Sequence, residues 1–205
     1  PGLIGRLAVP TIISMLVTSI YNMADTFFVS RIGTSASAAV GVSYSLMSMI
    51  QALGFTLGMG SGNYLSRVLG SRDEEKAERI ASTGFYSAIL IGLLFEVVCL
   101  PNLDVLVRLL GATDTIAPYA KDYAKYILIA APVMTGSLAM NNLLRFQGLA
   151  VYAMIGITTG GILNMILDPI FIFGLDLGIS GAALATALSQ CISFGILFFQ
   201  SLLRK

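Results

Sequence analysis

The residues best placed to do chemistry lie in GGILNMILDPIFIFG, Gly160 to Gly174. This stretch is apolar enough to sit in lipid, yet it carries Asn164, Asp168 and, directly after, Pro169. A helix sets Asn164 and Asp168 on one face, one turn apart. A carboxylate near the middle of a bilayer costs about 2.5–3.5 kcal/mol on insertion scales, so it requires a partner or a wet cavity. Pro169 has no N–H to donate, which frees the carbonyl of Met165 on the same stretch. Amide oxygen, carboxylate and loosened carbonyl together make a pocket for a small hard cation or a proton. The alternative is an interhelical hydrogen bond that binds a bundle together.

The rest of the chain has to position that pocket inside a membrane. Its 205 residues are 56% hydrophobic and 11% charged, with a mean hydropathy of +0.85. Soluble domains carry roughly 25% charged residues, so the composition is that of an integral membrane protein. There is no histidine, which removes imidazole catalysis and most transition-metal sites. Cys99 and Cys191 both lie in apolar runs and form neither a disulfide framework nor a zinc motif. No nucleophile–base pair is visible, so the expectation is a protein that is not an enzyme and uses no organic cofactor. No basic cluster with interleaved aromatics suggests nucleic acid as a partner.

Apolar runs of roughly 20 residues predict an all-α bundle of six transmembrane helices, near 4–30, 36–66, 78–100, 118–147, 151–173 and 179–202. A short surface helix is expected in NLDVLVRLLGA, closed by Gly111. The first span carries Thr11, Ser14, Thr18, Tyr21, Asn22 and Asp25 at three- and four-residue spacing, a polar stripe that faces a neighbour or a cavity. The second carries Gln51 and then Gly54, Gly58 and Gly62, whose spacing lets two helices approach closely. Tyr119, Tyr123 and Tyr126 open the fourth span and read as an interfacial aromatic cluster. Asn141 and Arg145 lie near its end. Thr186, Ser189, Gln190 and Ser193 run along one side of the sixth.

Lysine and arginine set the orientation. Arg6, then Arg67, Arg72, Lys76 and Arg79, then Arg145, and finally Arg204 and Lys205 fall on one side of a six-span chain. Only Arg31, Arg108, Lys121 and Lys125 fall on the other. Both termini are expected in the cytoplasm of an inner (plasma) membrane protein. Asp25, Asp168 and Thr186 then come to similar depth in the outer half of the bilayer, from three different helices. That convergence favours an ion site over scattered helix contacts.

Several motifs, in order, carry a resemblance. They are P-x₁₁-N-x-x-D-T-F-F-V from Pro10 to Val29, the Gly58–Ala77 segment, LNMILDPIFIFG from Leu163 to Gly174, and GISGAALATALSQ from Gly178 to Gln190. Together they resemble the multidrug and toxic compound extrusion (MATE) family across essentially the whole chain. The resemblance implies a protein of about twelve helices in two six-helix lobes. Residues 1–205 would form the amino-terminal lobe, without the carboxy-terminal one. It implies secondary active export of organic, often cationic, compounds driven by H⁺ or Na⁺ entry, and a second lobe from the same gene product or a second copy. By the same resemblance, Asp25, Asn164, Asp168 and Thr186 form the proton or Na⁺ site. Thr18, Tyr21, Asn22, Gln51, Tyr123, Asn141 and Gln190 are the expected cavity residues. After RFQG the family usually has a polar or basic residue, whereas here Leu149 and Ala150 follow. A lipid-linked oligosaccharide flippase would need cationic walls; the intramembrane carboxylates favour cationic cargo instead. The competing reading is a membrane scaffold or subunit whose polar residues serve assembly alone.

Overall fold

In the computed structural model, which describes residues 2–202, helix dominates from end to end. The order is α1 (Gly2–Ser30), α2 (Thr34–Gly70), α3 (Glu74–Cys99), α4 (Leu103–Leu109), α5 (Ala117–Phe146), α6 (Ala150–Pro169) and α7 (Gly178–Leu202). A π-helical turn, Ile170–Gly174, continues α6 beyond Pro169. Six of these helices are long and apolar enough to cross a membrane, and α4 is the short surface helix that NLDVLVRLLGA predicts. The side chains of Arg6, Arg204 and Lys205, used above for orientation, lie outside the described residues.

The bundle is built around α5. Of its most apolar window 78% is buried, against 17–39% for the other spans, so it is the helix the rest wrap. It packs on α2, α3 and α7, while α1 leans mainly on α6. Small side chains explain the position: Ala120, Ala124 and Ala131 are fully or almost fully buried, and a helix small and apolar all round suits a bundle centre. The α2 glycines serve the close approach read from their spacing. A Cβ on Gly58 would stand 2.9 Å from Cα of Ala139 on α5. Pro132 lies inside α5, and the nearby Thr135 hydroxyl donates to the carbonyl oxygen of Ala88 at 2.8 Å, tying α5 to α3.

Lipid takes the place of water outside. Ile12, Leu16 and Ile20 on α1, and Leu90, Leu94 and Val98 on α3, are all exposed. Spaced four apart, they form apolar outer stripes. At one end of the bundle α4 is clamped to α5 by ion pairs. Asp104 meets Lys121 at 2.8 Å and Arg108 at 3.2 Å, and Arg108 also meets Asp114 at 2.7 Å. The two cations, Lys121 before Arg108, hold the Asp104 carboxyl below the usual carboxylate range.

Candidate ion site

At the end of the bundle nearest α4, four helices converge on one buried group of oxygens. Asp168 comes from the last turn of α6 and is fully buried; Asn164 lies one turn before it, 3% exposed. The amide of Asn164 donates to Oδ1 of Asp168 at 3.2 Å and to the Thr186 hydroxyl of α7 at 3.1 Å. Pro169 does not end the helix. It takes its place in it, and the winding then widens into the π turn. Turns of this kind often accompany functional sites because they re-aim the residues beside them. The π turn is held close to α7: a Cβ on Gly181 would lie 2.7 Å from the backbone carbonyl of Phe171.

Asp25 of α1 is 8% exposed and reaches the group indirectly. Its Oδ2 lies 3.5 Å from the hydroxyl of Tyr123, which is fully buried on α5. Tyr123 is therefore not an interfacial tyrosine, as its company with Tyr119 and Tyr126 suggested. The alanine-lined face of α5 draws it inward, and its hydroxyl finds a carboxylate there. Three acceptors of the group have no hydrogen-bond partner among the described residues: Oδ1 of Asp25, Oδ1 of Asn164 and Oδ2 of Asp168. Buried polar atoms are nearly always satisfied in native proteins. Orphaned carboxylate and amide oxygens at one place fit a proton or a small hard cation bound by oxygen, and Na⁺ suits such a donor set.

Beside this group a cavity of about 390 Å³ runs between α1, α2, α5, α6 and α7. Thr18, Tyr21, Gln51, Asn141 and Gln190 line it, whereas Asn22 and Tyr123 do not. Asn164 and Thr186 belong to both the cavity wall and the oxygen group, so they form its partition. The far end is framed by hydrogen bonds between helices. Asn141 donates to the carbonyl of Ala153 at 2.8 Å, and Ser193 donates to that of Gly156 at 2.8 Å. One feature of this region carried no signal in the spacing of the chain, the Tyr123 link to Asp25; Ser189, on the stripe with Thr186, lies on the cavity wall, its hydroxyl unpartnered among the described residues.

A six-span helical bundle with buried carboxylates beside a cavity lined by both polar and apolar groups has the architecture of a membrane transporter lobe. The chain belongs to the MatE family, which matches residues 10–170. It is 32% identical over 195 residues to the multidrug export protein MepA of Staphylococcus haemolyticus (strain JCSC1435), covering 94% of this chain and 43% of MepA. A MOP superfamily transporter from Pyrococcus furiosus, whose pocket is described as of reverse polarity, superposes with a TM-score of 0.92 at 35% identity over 97% of this chain. An outward-facing multidrug resistance MATE family transporter of the same superfamily gives 0.92 and 35% over the same share. The chain spans 43–44% of the length of these relatives.

Proposed function

We propose that this chain is one lobe of a secondary active exporter that moves organic, mainly cationic, compounds outward in exchange for H⁺ or Na⁺. Asp25, Asn164, Asp168 and Thr186 would hold the coupling ion, with Tyr123 orienting Asp25. The observation that carries this reading is the set of three buried, unpartnered acceptors contributed by α1 and α6. A bundle glued by polar contacts has no use for them, because each unmet acceptor costs about 1–3 kcal/mol. The export function of the MepA relatives supports the transport half of the reading.

The chemistry follows from charge. With the ion absent, two carboxylates face one low-dielectric pocket, and an organic cation nearby offsets their repulsion. A proton or Na⁺ neutralises the same oxygens and removes that attraction. Exchange results if the ion binds the two conformations of the lobe unequally. A transport path also needs a second wall, since such cavities lie at repeat interfaces. The second lobe comes from the same gene product or from another copy. Both termini face the cytoplasm of the plasma membrane in this reading. The coupling ion is the only small partner besides the cargo, and no enzymatic step is involved.

The test is ion-driven ethidium export from cells or vesicles containing the full transporter. Asp25→Asn and Asp168→Asn keep size while removing charge. Each should insert normally and lose gradient-driven export. Wild-type rates in both variants under an unchanged gradient would establish the scaffold reading instead.

A further inference from the structure

Among the described residues the cavity wall contains one formally charged residue, and it is a cation. Arg145, in the last turn of α5, lines the cavity at the end away from the oxygen group. Asp25 and Asp168 are not part of the wall, because Asn164 and Thr186 stand between. A molecule in the cavity thus has Arg145 on its wall and meets the carboxylates only across neutral groups.

That guanidinium is half-buried and has no partner among the described residues. Its Nε is closed off from solvent without an acceptor, and none of the ion pairs among the described residues includes Arg145. An N–H shielded from water and left unbonded is costly. The helix C-terminus favours a positive charge at this position, but it supplies no acceptor to Nε. A planar fork of five N–H donors is matched by a carboxylate, which takes two of them at once.

We propose that Arg145 is an oxyanion-recognition residue of the cavity, so that preferred ligands carry a carboxylate at one end. This deepens the cargo reading above and rests on it. The cargo becomes zwitterionic: a cationic or aromatic part toward Asn164 and Thr186, a carboxylate toward Arg145. The separation fits a drug-sized molecule. Ala153, bonded to Asn141 one turn before Arg145, is separated from Asn164 by a stretch of α6 rising about 16 Å. Tyr21 and Phe55 provide aromatic walls for the body in between.

A matched dye pair tests this without any coupling ion. Rhodamine 110 carries a free carboxylate, and rhodamine 123 is its methyl ester with the same cationic ring system. Binding is read by fluorescence anisotropy on the full protein in dodecyl maltoside. In the wild type the acid should bind more tightly than the ester. Arg145→Gln should weaken the acid at least about tenfold and leave the ester unchanged. Arg145→Lys, which keeps the charge but loses the fork, should fall between. An unchanged acid-to-ester ratio in Arg145→Gln overturns the proposal. If that variant does not fold, equal or weaker binding of the acid by the wild type does so. Repeating the titration with phosphatidylglycerol separates the two sources of oxyanion. If the lipid abolishes the acid's advantage, Arg145 is a headgroup contact and the proposal fails; if the advantage persists, the cavity selects the ligand carboxylate. Loss of ion-driven export would not alter this ratio, so the coupling and recognition readings fail separately.

Discussion

Asp168 has one oxygen bonded to the Asn164 amide and the other free, within a site from which solvent is excluded. Asp25 has the same division, with Tyr123 as its partner. These side chains should not contribute equally. Asp25→Asn and Asp168→Asn remove charge where the proposed coupling ion would be held, so gradient-driven export should disappear. Tyr123→Phe removes only a hydroxyl whose 3.5 Å contact is at the outer limit of a hydrogen bond. Its loss is worth about 1 kcal/mol, or roughly fivefold. Export by Tyr123→Phe should therefore fall severalfold and remain measurable in the ethidium assay. Complete loss would give the tyrosine a direct part in ion binding, and no change would dissociate it from Asp25. Tyr123 also marks a boundary of what spacing can reveal. Three tyrosines at helical intervals look interfacial, and only the depth to which the alanines let α5 sink separates Tyr123 from its neighbours.

The helices carry the site through a few close contacts. Gly181 permits α7 to lie against the backbone of the π turn that follows Asp168, and this holds Thr186 opposite Asn164. Gly181→Ala places a methyl carbon 2.7 Å from the Phe171 carbonyl, where backbone rather than a flexible side chain must move. Overpacking of that kind costs about 1–3 kcal/mol. A thermal unfolding scan in detergent should show the loss, with a weakened ion response in the same variant. An unchanged melting temperature would mean that the π turn shifts freely. The α4 clamp yields a pH prediction. Lys121 and Arg108 hold Asp104 below its ordinary value, so the clamp's contribution is complete above the unfolded value, about 3.9. It is lost as pH falls through the depressed folded value. Amide exchange, corrected for its intrinsic pH dependence, should show residues 103–116 still protected at pH 5 and opening only in stronger acid. Opening between pH 7 and 5 would exclude the Asp104 pairs as the cause.

Across the membrane, the distribution of arginine and lysine predicts that the connection between α2 and α3 is cytoplasmic. A cysteine at Ser71, in that connection, should resist an impermeant thiol reagent applied to intact cells and react after permeabilisation. Outside labelling would invert the bundle and place the oxygen group in the inner half of the bilayer. Composition and run length alone determined that this chain is a membrane bundle, because lipid admits long apolar helices and little else. They also located the six spans, the short α4, and the one-turn pairing of Asn164 with Asp168, all consequences of local period and length. Residue types far apart in the chain gained their meaning from packing. Tyr123 became a hydrogen-bond partner of Asp25, Thr186 a partner of Asn164, and Arg145 the one charge among the described residues of a cavity wall. Asn22, on the same polar stripe as Tyr21, was turned off that wall. Helical spacing fixes which residues share a stripe, but rotation of the helix about its axis and the depth of its packing decide what that stripe touches, and both are set by side-chain volumes on neighbouring helices.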